Sequence, residues 1–277
     1  MTEPAPRPEG AEREPAPRPE RASEERQRPP SPDRRVTVVV PAYNEAARIS
    51  SALDRLVADA PALGILELIV VDDGSTDTTA QLVAARITEI SQASDASPAI
   101  RLIQLSKNRG KGAAIRAGVA EARGDYVLFL DADLSAPPTA IPRAIAAIEA
   151  GADVAIGTRV APGADARRTQ PLARQLSGRI FGLLQRVIVG LPYADTQCPF
   201  KLFTRQAAEQ VYPRVQTSGW AFDVELLAQA RRLGLAIQEF PVDWQHVNGS
   251  HIHASPVTAL RVIRELILIR VRLGRTG

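Results

Sequence analysis

Gly124-Asp-Tyr-Val-Leu-Phe-Leu-Asp-Ala-Asp133 is an apolar run that ends abruptly in two carboxylates, Asp131 and Asp133. On an extended backbone successive side chains alternate faces, so residues two apart point the same way. Two hard oxygen anions on one side of a chain can hold a divalent cation that also holds phosphate oxygens. The plainer reading is that acidic residues at a strand end simply open a loop. The rest of the chain decides between them.

Working outward, buried strands alternate with helices. The β-branched run Val36–Pro41 predicts a first strand, and helical spacing runs from Glu45 to Ala58. Strands follow at Ile65–Val71, Ile100–Leu105, Tyr126–Leu130 and Val154–Thr158, with helices over Thr76–Ile90, Lys111–Ala122 and Pro137–Ala150. This order predicts an α/β fold with a mostly parallel central sheet covered by helices on both faces. Ligands on such sheets gather at the carboxyl ends of the strands. The residues expected there are Tyr43-Asn44-Glu45, Asp72-Asp73, Lys107-Asn108-Arg109, Asp131-Ala132-Asp133 and Arg159, nearly all polar or charged. Meeting on one edge, they read as an active site.

After Arg159 the alternation is lost. Residues 161–172 read as a mobile loop rich in Pro, Gly and Arg. Helices are expected over Leu172–Val189, Trp220–Leu233 and Val257–Leu273, with short strands at Leu202–Phe203 and Ala236–Phe240. No linker-like tract separates the two halves, so residues 35–277 form one domain with a C-terminal helical region. Residues 1–34 differ: they hold nine prolines, seven arginines and eight acidic residues, and Glu3-Pro-Ala-Pro-Arg-Pro-Glu9 recurs at 14–20. Such a tract buries too little apolar surface to offset its ordering entropy, and is expected to be a disordered tail.

Composition narrows the function. A net charge of +3 and only 4% aromatic residues argue against a nucleic-acid partner. The single cysteine, Cys198, excludes an internal disulfide in a monomer. No apolar run reaches the roughly 18 residues of a membrane span, and the N-terminus has no apolar signal core. The expected location is cytoplasmic, with at most peripheral contact at the inner face of the cell membrane.

A nucleotide-sugar donor needs a slot for base and ribose. Asp73, after the second strand, could accept from a base N–H or a ribose hydroxyl; alternatively it caps the next helix, with Ser75 or Asp77 taking the other task. The diphosphate needs cationic charge, which Asp131 and Asp133 would recruit as Mg²⁺ or Mn²⁺, assisted by Lys111 or Arg159. Competing phosphate motifs are absent: there is no G-x-x-x-x-G-K-S/T, and Asn108-Arg-Gly-Lys-Gly112 does not fit G-x-G-x-x-G. His246, His251 and His253 lack the partners of a zinc site.

Four motifs in order, Val38-Val-Val-Pro-Ala-Tyr-Asn-Glu45, Val70-Val-Asp-Asp-Gly-Ser-Thr-Asp77, Asn108-Arg-Gly-Lys-Gly112 and Asp131-Ala-Asp133, resemble family 2 glycosyltransferases with the GT-A fold. In the second half, Asp195-Thr-Gln-Cys-Pro-Phe-Lys-Leu-Phe-Thr-Arg205 and Trp220-Ala-Phe-Asp-Val-Glu-Leu-Leu227 resemble the dolichyl- and polyprenyl-phosphate β-glucosyltransferases among them. The resemblance implies an inverting transfer of glucose from UDP-glucose to a polyprenyl phosphate; close cousins use GDP-mannose. It implies that Pro41, Tyr43, Glu45, Val71 and Asp73 line the nucleoside slot and that Asp131 and Asp133 bind metal, with Ala132 at the nucleotide. It places Arg159 at a phosphate, and Arg174, Ser177 and Trp220 on the acceptor side. Two departures stand out: Pro199 where the family has Gly, and His251 where relatives often carry Lys.

A hydroxyl acceptor must lose a proton to a base, whereas a phosphate monoester, with a second pKa of about 6, is already ionised near neutrality. Asp223 therefore reads as an orienting group with a phosphate acceptor, as a general base with a soluble or polysaccharide acceptor, or as mere helix N-terminal charge along with Glu225. A non-catalytic nucleotide-sugar binder and a nucleotidyltransferase are further readings; the intact acid pair opposes the first, and Tyr-Asn-Glu after strand one opposes the second. Finally, at about 100° per residue the last helix gathers Arg261, Arg264, Arg272 and Arg275 on one side against Leu260, Val262, Ile263, Leu266, Ile267, Ile269 and Val271. That pattern suits an anionic membrane surface. Arg270 falls on the apolar side, and a helix packed on the sheet would pair it with an internal acid.

Overall fold

A computed structural model describes residues 35–93, 98–160, 172–244 and 256–275. The tail, the loop segment 161–171 and His246, His251 and His253 lie outside the described residues. So do the side chains of Arg174, Ser177 and Arg275, although these three positions belong to helices.

Seven strands form one sheet: β1 (Val36–Ala42), β2 (Ile65–Asp72), β3 (Ala99–Gln104), β4 (Tyr126–Leu130), β5 (Val154–Thr158), β6 (Phe200–Thr204) and β7 (Ile237–Pro241), in the order β3-β2-β1-β4-β6-β5-β7. All neighbours are parallel except β6, which runs antiparallel between β4 and β5. The eight α-helices among the described residues are α1 (Ile49–Leu63), α2 (Thr79–Ala93), α3 (Lys111–Ala120), α4 (Ile141–Glu149), α5 (Leu172–Ile188), α6 (Arg205–Val211), α7 (Phe222–Arg232) and α8 (Pro256–Arg275).

Alternation along the strands builds two cores. Val38, Val40, Leu68, Val70, Leu128 and Leu130 point to one face, under α1 and α4. Val39, Ile69, Val71, Val127 and Phe129 point to the other, under α3, α7 and α8. Helix α1 supplies Ile49, Leu53 and Leu56, all fully buried at helical spacing. Each such side chain is worth about 1.5–3 kcal/mol of apolar transfer, so Leu53→Ala would cost about 2–5 kcal/mol. The helix stops at Gly64, whose φ of 67° lets its N–H cap the Ala60 carbonyl.

The helix starts differ from expectation in a way that matters at the site. Helix α1 begins at Ile49 rather than Glu45, after the non-helical Arg48 at a φ of −128°, and the N–H groups of Asn44, Glu45 and Ala46 ahead of it bond to Ser75 Oγ (2.9 Å), Thr79 Oγ1 (2.8 Å) and Asp77 Oδ2 (3.2 Å). Helix α2 begins at Thr79 rather than Thr76, its N–H capped by Asp77 Oδ1 at 2.9 Å. The two loops following β1 and β2 are thus laced together. The segment expected as one helix over Pro137–Ala150 is a 3₁₀ turn, Pro138–Ala140, leading into α4. Strand β6 is longer than expected, and α6 has no counterpart in the sequence reading; Thr204 caps it by accepting from the Ala207 N–H.

Helix α8 corrects the expectation about its arginines. Leu266 and Ile269 are fully buried against the second core. The arginine that pairs with an internal acid is Arg272, 3.4 Å from the buried Glu225, and not Arg270, which is exposed. Helical geometry explains it: Arg272 follows Leu266 and Ile269 by six and three residues, along the edge of the packed face. Leu260, Ile267, Leu268 and Val271 face outward, and α8 packs beside α5. No helix among the described residues is long and apolar enough to cross a membrane.

Candidate active site

Strands β1, β2, β4 and β5 end on a common edge, and β6, running the other way, begins there. Leu130 is paired with Phe200, and Ile156 with Lys201. Residues 195–199 therefore enter the sheet between the ends of β4 and β5. This reversal brings the Asp195 segment beside Asp131 and Arg159, across a large gap in sequence.

Asp131 and Asp133 sit in the turn after β4. The Leu134 N–H donates to the Asp131 carbonyl at 3.0 Å and the Ser135 N–H to Asp133 Oδ1 at 2.9 Å. Leu134 is held at a φ of 47°, a left-handed conformation that a branched side chain adopts only at a cost. Ala132 is buried between the two acids. Lys111 Nζ lies 2.7 Å from Asp131 Oδ1 and 5.6 Å from the centre of the Phe129 ring. Burial opposes the Lys111 charge, yet Asp131, Asp223 and Asp133 outweigh it and raise its pKa. A cleft lined by Arg48, Ser51, Ala52, Ala132, Asp133 and Leu134 opens beside the acid pair.

Glu45 stands across from Asp133 and bonds Arg48 at 2.6 Å. Burial raises the Glu45 pKa, Arg48 pulls it back, and Asp133 and Asp131 push it further up. Tyr43 is exposed at the rim, Pro41 is half-buried, and Val71 is fully buried beneath. Asp73 is buried with both oxygens engaged by the glycine loop, Oδ1 by the Arg109 N–H (2.8 Å) and Oδ2 by the Gly110 N–H (2.7 Å). Of the two tasks foreseen for the acids after β2, the helix capping falls to Asp77, while Asp73 takes one that was not foreseen, fastening this loop. Gly110, at a φ of 94°, is required here, since a Cβ would lie 2.4 Å from the Ser218 carbonyl oxygen.

Arg159 closes the other side. Its Nε and Nη2 donate to Asp195 at 2.7 and 2.9 Å, its backbone N–H donates to the same carboxylate, and its guanidinium lies 5.6 Å from the Trp244 ring centre. Burial raises the Asp195 carboxyl, but Arg159 overrides it and holds the pKa below the ordinary value. Arg159 is thus fork-bonded to a protein carboxylate at the position where the resemblance puts a phosphate. Cys198, between these groups, is buried, and burial pushes its thiol up to about 12, which makes it inert.

Asp223 opens α7 and points at Lys201, whose Nζ is 2.6 Å from Asp223 Oδ1, 2.8 Å from the Cys198 carbonyl and 5.1 Å from the Phe129 ring centre. Two lysines, each paired to an acid, thus lie within 5.6 Å of the Phe129 ring centre. Glu225 is structural: it accepts from the Gln216 and Thr217 N–H groups and pairs with Arg272. Trp220 is exposed just before α7, and Glu265 of α8 accepts from the N–H of the next residue, Ala221, at 3.0 Å. Sequence reasoning missed Lys201 and Asp195 as members of the site. Lys201 sits inside a β-strand, where its period-2 neighbours give no sign that a charge faces inward.

Two carboxylates with hard oxygens, one already holding an ammonium, make a donor set that fits a divalent cation. Among the described residues no group of three or more His, Cys, Asp or Glu side chains could hold a metal ion, so its remaining ligands would come from substrate or water.

The fold and the position of the acid pair define the class: a GT-A glycosyltransferase, with D-x-D closing the fourth strand. Residues 37–212 match Glycosyl transferase family 2, and the chain belongs to that family. The chain is 32% identical over 248 residues to the dolichyl-phosphate beta-glucosyltransferase of Dictyostelium discoideum, covering 86% of this chain and 74% of that protein. It is 34% identical over 260 residues to the enzyme of the same name from Saccharomyces cerevisiae, covering 85% and 74%. Among solved structures it is similar to glucosyl-3-phosphoglycerate synthase from Mycobacterium tuberculosis in complex with Mn²⁺, UDP and glucosyl-3-phosphoglycerate, with a TM-score of 0.59 and 25% identity over 87% of this chain and 80% of that one.

Proposed function

We propose that this glycosyltransferase moves glucose from UDP-glucose to the phosphate of a polyprenyl phosphate, with inversion at the anomeric carbon and with Mg²⁺ or Mn²⁺ bound. The names of the two relatives support the sugar and the lipid acceptor. The observation that carries the acceptor class is the Lys201–Asp223 pair at 2.6 Å. A hydroxyl acceptor needs a carboxylate free to take its proton. Protonating Asp223 would strand the fully buried Lys201 ammonium without its counter-charge, which is costly. A phosphate acceptor, with its second pKa of about 6, brings its nucleophile already ionised.

The chemistry then needs no proton transfer. An acceptor phosphate oxygen bonds the anomeric carbon as the bond to the diphosphate breaks, and the electron pair leaves on UDP. A divalent cation between Asp131 and Asp133 would supply Lewis-acid stabilisation of the leaving diphosphate. Lys111 adds positive charge from the same side, and Tyr43 with Pro41 forms the rim of the nucleoside slot. Asp223, fixed by Lys201, orients rather than abstracts. Arg174, Ser177 and Trp220 are assigned to the acceptor side by resemblance. The outward apolar residues of α5 and α8 support peripheral contact with an anionic membrane, in which a polyprenyl tail stays, and the proposal puts that contact at the cytoplasmic face.

The test is a panel of UDP- and GDP-sugars with Mg²⁺ and a short polyprenyl phosphate. Glycolipid from UDP-glucose supports the proposal. Product from GDP-mannose alone moves the donor, and product only with water-soluble acceptors overturns the lipid assignment.

A further inference from the structure

Lys111 is the first residue of α3, at the positive end of the helix dipole, where a cation is disfavoured. Its ammonium nevertheless reaches Asp131 Oδ1 at 2.7 Å, and the Asp133 and Asp223 carboxylates also act on it. The backbone around it is fastened: Asp73 holds the Arg109 and Gly110 N–H groups, and the Gly112 N–H donates to the Ser218 carbonyl at 3.1 Å. The side chain is 37% exposed, so it can swing while its backbone stays. A tethered protein cation thus offsets the charge of Asp131.

The geometry points to Lys111 as the place-holder of the metal site. Its ammonium occupies Asp131 until a nucleoside diphosphate draws it away, and only then is the carboxylate open to a divalent cation. Metal alone is excluded; metal and diphosphate enter together. The ammonium does not leave the site but moves from a carboxylate to a phosphate, keeping the charge of the pocket nearly constant through the exchange. By linkage, whatever factor nucleotide adds to metal affinity, metal adds to nucleotide affinity. Part of that factor is direct contact between metal and diphosphate, and part is the displacement of Lys111. Only the second part depends on residue 111.

This inference rests on the proposed nucleotide-sugar site, and Mn²⁺ is the probe that separates the two. Free Mn²⁺ is measured by electron paramagnetic resonance against the full chain, without nucleotide and with UDP or GDP, for the wild type, Lys111→Gln and Lys111→Arg. Asp131→Asn identifies any Mn²⁺ bound elsewhere, and thermal melts establish that each variant is folded. In Lys111→Gln, Mn²⁺ alone should bind at least about tenfold more tightly than to the wild type, the effect of removing one charge-assisted contact. The ratio of UDP affinities with and without Mn²⁺ should shrink accordingly. Lys111→Arg, which keeps the charge, should still exclude Mn²⁺ when no nucleotide is present. Unchanged or weaker binding of Mn²⁺ alone to Lys111→Gln overturns the inference, as does Lys111→Arg behaving like Lys111→Gln. If neither UDP nor GDP binds the wild type, the functional reading fails, while the Mn²⁺-only comparison still decides whether Lys111 guards Asp131.

Discussion

Lys201 Nζ lies 2.6 Å from Asp223 Oδ1, and the two side chains are 0% and 7% exposed. A buried pair of this kind is costly to break from one side only, about 3–5 kcal/mol. Asp223→Asn should therefore lower the melting temperature, and Lys201→Met in the same chain should restore much of it. In activity, Asp223→Asn should lose about 10–100-fold in kcat/KM through misplaced substrate, keeping the limb near pH 6 that the acceptor's own ionisation sets. Disappearance of that limb in the variant would make Asp223 a general base and favour a hydroxyl acceptor.

Asp133 is a half-exposed residue in the turn after β4, and among the described residues its side chain accepts from the Ser135 N–H. Asp133→Asn preserves that acceptor but removes the charge. Circular dichroism and melting should stay close to wild type, while turnover falls by at least about 100-fold, the usual cost of losing one electrostatic stabiliser. Excess chelator should have the same effect on the wild type. Full activity in chelator would remove the metal from the mechanism.

Asp195 ties Arg159 to the segment entering β6. Its folded pKa lies below its ordinary 3.8, because Arg159 outweighs burial. A depressed carboxyl contributes stability that is present above pH 3.8 and is lost as pH falls through the folded value. At pH 7, Asp195→Asn should be less stable by about 1–3 kcal/mol, or roughly 2–4 °C in melting temperature per kcal/mol for a domain of this size. The difference between wild type and variant should narrow as the pH is taken well below 3.8. A gap of constant size across that range would mean that the carboxylate charge contributes nothing.

What could be read from the chain was what depends on local pattern. The first five strands and the polar residues at their ends follow from β-branched runs that stop at charges, as at Leu130–Asp131 and Val71–Asp72. The pairing partners depend on topology and were not legible. That Lys201 faces inward beside Phe129, that Asp195 meets Arg159, and that Arg272 rather than Arg270 turns to an internal acid all require knowing that β6 is inserted antiparallel and that α8 lies over α7. Asp73 shows the same limit at short range. An acid after β2 was foreseen as a ligand or a cap, but fastening the glycine loop needs the placement of a residue 36 positions on.

The outward faces of α5 and α8 give the last test. Ile180, Leu183 and Val187 on α5, and Leu260, Ile267, Leu268 and Val271 on α8, are exposed, and the two helices pack side by side. Arg186, Arg261, Arg264 and Arg270 are exposed on the same helices. Apolar residues of this size are each worth about 1.5–3 kcal/mol when fully buried, and each arginine near an anionic surface adds about 1 kcal/mol. The full chain should co-sediment with anionic liposomes at low salt and less so as salt screens the arginines. Ile267→Ser with Val271→Ser should weaken that binding by at least about tenfold, since both residues are outside the buried core, 50% and 42% exposed, and a melting curve separates any loss of stability from the loss of binding. Turnover of a water-soluble short-chain acceptor should be unaffected by the pair of substitutions, whereas turnover of acceptor embedded in liposomes should fall with the binding. An intact protein that stays in the supernatant at low salt would remove the membrane from the account and leave these two helices to another partner.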